Sequence, residues 1–368
     1  MHMLLGRWRM SPCPSRSDRM PRVKDFGGRS LTVLLGAGVV VAVPLLAVRW
    51  VDSTVGMVAV LQSMVPMTGF VVAALVTIAA ATRRWRITAA AGILLTICAV
   101  LAVPSVLGHT VAPGRDDLVV MSANLDFGGA DAQSLMTAAR EHRVDVLVLL
   151  EITPAAAERL RTAGLDSLLP ESVGRAIQGA AGTIIRSRIP LSLVEPGLDH
   201  VSPDAFDEPV ISLHRPGGDV VLRAVHSLPP SPLGAVDWRS GLGELQGWRE
   251  RLPADQPLVM AGDFNSSQGH PGFRRVAETM TDAHRAAGQG WVRTWPQERR
   301  LVRPFIQLDH VLVRGLDVVD AGIFHLPDTD HAAVWARLSP HDPQRGLVAS
   351  RRHRPQAGRV APAPSPGL

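Results

Sequence analysis

The chain has 368 residues, of which 46% are hydrophobic, with a mean hydropathy of +0.14 and a formal net charge of +5 at pH 7. That leaves room for one large domain plus a substantial further segment, and it is too apolar for a chain that is soluble throughout. Its only cysteines, Cys13 and Cys98, exclude a disulfide framework, cysteine-ligated zinc and thiol catalysis from everything that follows them.

The apolar excess lies near the start. A basic tail, residues 1–30, carries Arg7, Arg9, Arg16, Arg19, Arg22, Lys24 and Arg29. Three apolar runs follow at 31–48, 54–81 and 87–107, each long enough to cross the ~30 Å of hydrocarbon that about 20 helical residues span. Ala47-Val48-Arg49-Trp50 offers no small-x-small cleavage site, so the first run reads as a retained anchor rather than a signal peptide. Basic clusters stay cytoplasmic, which places the tail and the Arg83, Arg84, Arg86 group inside a cell (plasma) membrane. Three crossings then put everything after Leu107 outside. Divided this way, the positive charge belongs to the ends and turns, and the 108–340 segment is net acidic. The basic isoelectric point is therefore no sign of a nucleic-acid surface on the folded part.

After a Pro/Gly/Asp linker at 108–117, residues 118–124 read as a buried strand and 131–142 as an amphipathic helix. Strand 144–151 is apolar at nearly every position, as a strand covered on both faces must be. A helix at 154–163 opens with Thr153 as N-cap and Pro154 in its first turn. Strands are expected at 183–187, 191–194, 210–214 and 219–226, the last two joined by the turn Arg215-Pro216-Gly217-Gly218. A helix at 237–252 shows Leu242, Leu245, Trp248 and Leu252 on one face, and the strand of Asp263 comes next, an apolar run at 257–261 closed by Gly262-Asp263-Phe264-Asn265. A helix at 273–279 and strands at 308–314, 318–324 and 332–338 complete the domain at residue 340. Strands bracketing helices twice over predict an α/β fold, a four-layer sandwich of two packed mixed sheets flanked by helices and preceded by three transmembrane helices. The Pro/Arg-rich tail, 341–368, has too little apolar content to fold and is expected to be disordered.

Several strands stop at polar residues: Asn124, Glu151, His226, Asp263 with Asn265, and Asp309, with Asp330-His331 opening the last. Side chains alternate along a strand, so Asp263 and Asn265 share a face, where a carboxylate and a carboxamide can grip a water and a phosphate oxygen. Turn-making accounts for any one of these residues. Together they supply hard oxygen ligands and two imidazoles, which a magnesium-dependent phosphoester hydrolase needs. A phosphodiester repels nucleophiles by its own charge, so a cation and protonated imidazoles must offset the charge that builds up. A histidine beside a carboxylate carries that proton at neutral pH.

Ser122-Ala123-Asn124-Leu125, Leu149-Leu150-Glu151, residues 182–190, Val225-His226-Ser227, Gly262-Asp263-Phe264-Asn265, Leu308-Asp309-His310-Val311 and Asp330-His331 resemble, in this order, the endonuclease/exonuclease/phosphatase superfamily. That superfamily has the deoxyribonuclease-like four-layer sandwich, and the resemblance covers roughly residues 118–338. Thr294-Trp295-Pro296 ahead of Asp309 is similar to its membrane-anchored bacterial branch. The resemblance implies Mg²⁺ or Mn²⁺ on Glu151, with Asn124 and Asp330 close to it. Asp263 would orient or deprotonate the attacking water, and Asn265 would hold a phosphate oxygen. His331, oriented by Asp309, would meet the scissile phosphate and trade a proton, with His226 as the second imidazole. The chain departs from the family at Leu150, Gln307 and Thr329, where Gln, a basic residue and Ser are usual. It has no tyrosine, so His226 is the candidate for any role that relatives give to a phenol.

His310 alternates away from Asp309 and is expected to be a packing residue. His200, His214, His270, His284 and His325 are expected on the surface or in loops, Arg186 and Arg188 as solvated charges, and Trp238, Trp248 and Trp291 as packing residues. The expected activity is a membrane-anchored, outward-facing phosphodiesterase with DNA or RNA as leading substrate. A lipid phosphodiesterase of the sphingomyelinase type or a phosphomonoesterase is the alternative, and a non-catalytic binding module the third reading. Net acidity counts against a surface making many phosphate contacts. The anchor favours headgroups, although no aromatic-apolar hairpin stands out in the sequence.

Overall fold

The computed structural model describes residues 26–197, 206–231, 234–299, 301–342 and 348–349. His200, the basic tail before residue 26 and most of the tail after residue 342 lie outside the described residues.

Four helices come first: α1 (Phe26–Ala47), α2 (Gly56–Ser63), α3 (Val65–Ala81) and α4 (Trp85–Val106). α1 and α4 are long and apolar enough to cross a membrane. The expected middle span is not one helix: it bends by 55° between α2 and α3, and the bent pair counts as a third span when taken together by length and composition. Pro66 sits in the first turn of α3, where its missing N–H is tolerated, but a helix running through from α2 would lose a hydrogen bond there. Gln62 adds a polar anchor at the break, donating from Nε2 to the carbonyls of Val48 (2.9 Å) and Val51 (2.7 Å). At the α3–α4 turn, Arg84 donates to Gly28 O (2.7 Å) and Thr32 Oγ1 (2.9 Å). The turn therefore lies beside the start of α1, and α4 leads away from it toward the folded domain.

The domain continues with β1 (His109–Thr110), β2 (Leu118–Asn124), α5 (Ala132–Glu141), β3 (Val146–Leu150), α6 (Pro154–Thr162), α7 (Leu165–Leu168), β4 (Glu171–Arg175) and β5 (Thr183–Ser187). Then come β6 (Leu191–Glu195), β7 (Val210–Leu213), β8 (Val220–His226), α8 (Val236–Arg251), β9 (Leu258–Asp263) and α9 (Pro271–Val276). The last elements are β10 (Thr281–Asp282), α10 (Ala283–Ala286), β11 (Asp309–Arg314), β12 (Leu316–His325), β13 (Ala332–Pro340) and β14 (Val348–Ala349), which pairs with β1.

Two six-stranded mixed sheets result, in the orders β12-β13-β2-β3-β5-β4 and β10-β11-β9-β8-β7-β6. In each, one central pair is parallel, β2 with β3 and β8 with β9, and the remaining neighbours are antiparallel. Period-two alternation sorts their side chains into layers. Leu118, Val120, Val146 and Val148 of the first sheet meet Leu222, Ala224, Val259, Ala261 and Val311 of the second in a core between the sheets. Met121, Ala123, Leu147 and Leu149 face outward onto α5 and α6, where they pack with Leu135, Ala139 and Leu160. Met260, Phe264 and Leu312 face outward onto α8 and α9, with Trp238, Leu242 and Phe273. This is the four-layer α/β sandwich. β4, almost wholly exposed and without apolar alternation, gave no signal in the sequence.

Strand register brings the polar ends together. His226 of β8 and Asp309 of β11 both align with Asp263 of β9, one on either side of it. In the first sheet Asn124 aligns with Leu150, the residue before Glu151.

Candidate active site

Asp263 ends β9 on its inner face, the face that carries Val259 and Ala261 into the core. Gly262 before it has φ +149, and a Cβ there would stand 1.9 Å from the carbonyl oxygen of Val225. Only glycine lets β8 and β9 approach so closely where His226 and Asp263 pair. Asp263 is 1% exposed and accepts from the backbone N–H of Asn265 (2.8 Å) and from Asn124 Nδ2 (3.3 Å), which ties the two sheets together. Asn265, at φ +44, donates from Nδ2 to Ser227 O (2.8 Å).

His331 precedes β13 and is 7% exposed. Its Nδ1 lies 2.9 Å from Asp309 Oδ2, and its Nε2 lies 3.7 Å from Asp263 Oδ2 and 3.8 Å from Asp330 Oδ1. Burial alone would strip this imidazole of its proton, but the charges of Asp309 and Asp263 and the bond to Asp309 outweigh it and push the pKa up to about 10. Asp263 also lies above a free carboxyl: burial raises it to about 7, against the opposing charge of His331. Carboxylates therefore flank an imidazole that keeps its proton.

Thr294 accepts from the backbone N–H groups of Leu308 (2.9 Å) and Asp309 (3.2 Å), while its carbonyl takes the N–H of Ala332 (2.9 Å). It thus fixes Asp309 and the start of β13 together. Trp295 Nε1 donates to Asp330 Oδ2 (3.1 Å), which also takes Arg299 (3.1 Å). Thr294 and Trp295 so secure both acids beside His331.

Glu151 follows β3 with a left-handed φ of +53, a conformation that costs energy outside glycine and collects at functional sites. Its Oε1 takes Asn124 Nδ2 (3.1 Å) and lies 3.6 Å from His226 Nε2, and its Oε2 takes the N–H of Phe127 (2.8 Å). Burial raises its pKa against these bonds. His226 is held neutral, its pKa lowered to about 3 by burial and then by the charge of His331. Phe206 stacks on its ring at 3.9 Å, and its N–H donates to Glu208 Oε1 (2.7 Å).

These donors suit a hard divalent cation. Glu151 is a partly buried carboxylate whose charge burial opposes, and beside it His226 Nδ1 and Ser227 Oγ are buried without hydrogen-bond partners among the described residues. Asp126, with its pKa raised by burial and then by Asp330, adds a further acid near Asp330. Asp263, Asp309 and His331 also bring ligand atoms within 4.8 Å of one another. Because His331 is held protonated while its Nδ1 donates to Asp309, its Nε2 has no lone pair for a cation, and the trio forms an acid–imidazole–acid relay rather than a ligand set.

The structure therefore gathers Asn124, Glu151, His226, Asp263, Asn265, Asp309, Asp330 and His331 into one connected network, with Asp330 held by Trp295, Arg299 and His331. Sequence reasoning missed Asp126, Phe206 and Arg299, and it had no role for Trp295. Asp126, two residues after Asn124, lay within reach of a sequence argument; the others reach the site only through the fold. His310 faces the helix layer, fully buried, with Nδ1 2.9 Å from Asp282 Oδ2 and Nε2 3.0 Å from Ser266 O. His270 and His284, expected on the surface or in loops, are each 1% exposed.

Among solved structures, that of D. rerio TDP2 complexed with single-strand DNA product is similar at 15% identity and a TM-score of 0.50, covering 61% of this chain and 99% of that one. Truncated Caenorhabditis elegans TDP2 is similar at 18% identity and a TM-score of 0.50, covering 61% and 98%. An endonuclease/exonuclease/phosphatase protein from Beutenbergia cavernae is 20% identical over 61% of this chain and 72% of its own, with a TM-score of 0.45. No curated protein matches the chain. The Endonuclease/Exonuclease/phosphatase family model matches residues 121–332, from β2 to the start of β13 and across both sheets of the sandwich, and the chain belongs to that family.

Proposed function

We propose that this chain is a divalent-metal-dependent phosphodiesterase, anchored in a membrane by its N-terminal helices and working on the outer side. The observation that carries the reading is the His331–Asp309 pair at 2.9 Å, with Asp263 against the other imidazole nitrogen and joined through Asn124 to Glu151. Glu151 would hold Mg²⁺ or Mn²⁺, with Asn124 and Asp330 close by. Once bound, the cation offsets charge on a phosphate oxygen. Asp263 orients the attacking water and draws on its proton, while Asn265, pinned by Ser227, presents its carboxamide to a phosphate oxygen. His331 meets the scissile phosphate as a protonated imidazole, held in place by Asp309. His226 is the neutral second imidazole.

The outward orientation is supported by the Arg84–Gly28 contact, which groups the basic turn with the start of α1 at one end of the helices. Nucleic acid remains the leading substrate, and the D. rerio relative was solved with a single-strand DNA product. A lipid-borne phosphoester is the second reading, favoured by one observation. The ring of Trp291 lies 5.4 Å from that of Phe70 of α3, tilted by 38°, and the same connection carries Arg299 onto Asp330 and leaves Leu301 97% exposed. A connection that meets a membrane helix at Phe70 and exposes Leu301 and Val302 suits a substrate drawn from the bilayer.

The test is hydrolysis by the full chain in lipid nanodiscs with Mg²⁺, of plasmid DNA, RNA, sphingomyelin and bis(p-nitrophenyl) phosphate in parallel. Turnover of a phosphodiester that disappears in Asp263→Ala and in His331→Ala is expected. Turnover unaffected by both substitutions, or none on any substrate, overturns the assignment.

A further inference from the structure

Between α1 and α3 the chain does not simply turn at the membrane surface. Residues 49–63, including α2, lie along the helix layer of the second sheet. Ala59 of α2 is 2% exposed and shares a core with Trp238, Leu242, Phe264 and Phe273. Asp52 takes Arg239 through both oxygens, at 2.7 and 2.6 Å, with Arg275 at 3.3 Å, and Ala235 N–H donates to Thr54 O (3.0 Å).

This segment grips the turn that follows Asp263. The Arg49 guanidinium donates to Gln268 O. Arg274 donates to Gln268 O (2.9 Å), Gly269 O (3.0 Å) and Arg49 O (2.7 Å). A Cβ on residue 269 would stand 2.3 Å from Gln62 O, so only glycine allows α2 to come this close. The joint between the two parts is His270, 1% exposed. Its Nδ1 accepts from Ser267 N–H (2.9 Å), which leaves the proton on Nε2 for donation to Ala59 O (3.0 Å).

Every backbone carbonyl from Asn265 to Gly269 is thereby taken. Trp238 Nε1 holds Asn265 O (3.0 Å), His310 Nε2 holds Ser266 O (3.0 Å), and His270 N–H holds Ser267 O (2.9 Å). Arg49 and Arg274 hold the other two. A turn without secondary structure is thus fully determined, and some of its restraints come from outside the sandwich.

We propose that the segment 49–63 is a positioning element of the catalytic centre, acting through His270 to hold the 265–269 turn, so that catalysis requires the domain to be seated on its own membrane helices. The inference rests on the phosphodiesterase reading above. In physical terms, Asn265 and the water held by Asp263 must keep their geometry to a fraction of an ångström, and a looser turn loses rate rather than substrate affinity.

Two substitutions separate this role from local folding. His270→Gln keeps an amide donor at the distance of Nε2 and so the tie to Ala59. His270→Asn keeps an acceptor near Nδ1 for Ser267 but falls short of Ala59. Phe70→Ala serves as control, removing a membrane-helix contact with Trp291 away from the turn.

In the full chain in nanodiscs, kcat and KM for bis(p-nitrophenyl) phosphate with Mg²⁺ are measured alongside amide hydrogen exchange of residues 265–270. His270→Asn is expected to lower kcat about 10-fold with KM within about 2-fold, and to speed exchange across the turn. His270→Gln and Phe70→Ala are expected to stay within about 3-fold of the parent in kcat, with exchange unchanged. Equal damage from Asn and Gln, or full activity and unchanged exchange in His270→Asn, overturns the proposal. If the parent hydrolyses no phosphoester, the phosphodiesterase reading fails, and exchange alone decides the clasp. Faster exchange confined to the Asn variant supports it, and unchanged exchange refutes it.

Discussion

Replacing Asp309 by Asn tests the relay with the least change of shape. The substitution keeps the volume and an oxygen that can still face His331 Nδ1, but it removes a buried charge 2.9 Å from that nitrogen. Asp309 is 1% exposed and His331 7%, so water cannot make up the loss. A hydrogen bond to a charged group contributes about 1.5–3 kcal/mol in all, which corresponds to roughly 10- to 150-fold in rate if the bond is lost and was fully used in the transition state. The assay is kcat/KM of the full chain on bis(p-nitrophenyl) phosphate with saturating Mg²⁺ near neutral pH, with thermal melting measured in parallel. We expect a loss of about 100-fold with the fold retained, read as a single cooperative melt. Because Asp309 acts through His331, the double variant Asp309→Asn/His331→Gln should be no slower than His331→Gln alone. A loss below ~3-fold, or losses that multiply in the double variant, would refute the reasoning.

Chelation with EDTA should abolish hydrolysis and added Mg²⁺ or Mn²⁺ restore it, while Glu151→Gln should weaken Mn²⁺ binding by calorimetry about 10-fold or more; binding equal to the parent would remove Glu151 from the metal site. Gly262→Ala forces a Cβ to within 1.9 Å of Val225 O, so the β8–β9 pairing must open. A cost of about 2–4 kcal/mol is expected, read as a melting temperature lower by roughly 5–10 °C. His270 gives a pH dependence of stability. Burial lowers its folded pKa to about 4, below its value of 6.5 in the unfolded chain, so its contribution is intact above pH 6.5. Between pH 6.5 and 4 the unfolded chain binds the extra proton and roughly 3 kcal/mol is lost. Melting curves of His270→Gln should fall less steeply over that window, and parallel curves would count against a neutral buried imidazole.

Much of the site was legible because its information is local. Asp263 and Asn265, read onto one face of a strand, do meet, with Asn265 Nδ2 3.4 Å from Asp263 Oδ2, but the strand stops at Asp263 and a left-handed turn at Asn265 brings them together. Alternation did turn His310 away from Asp309. Each apolar run ended at the polar residue that the sheets later brought together. What stayed hidden depends on contacts between distant parts of the chain. Nothing near His270 announces that its imidazole meets Ala59 from the membrane segment, and nothing near Trp295 announces Asp330. The apolar run at 54–81 read as one span because hydropathy averages over the break. The bend at Met64 follows from Pro66 and from a domain surface, formed some 200 residues later, against which α2 could bury Ala59.

Composition and pattern alone thus determined that the chain has apolar helices, a sandwich of alternating strands and a set of acids and imidazoles at strand ends, since hydrophobic period and strand alternation are properties of neighbouring residues. Tertiary structure alone decided which of those groups share protons, which acids face Glu151 and Asp330, and that residues 49–63 rest against the turn carrying Asn265. Those relations depend on desolvation and on distances of about 3 Å, which arise only when segments far apart in sequence are buried together.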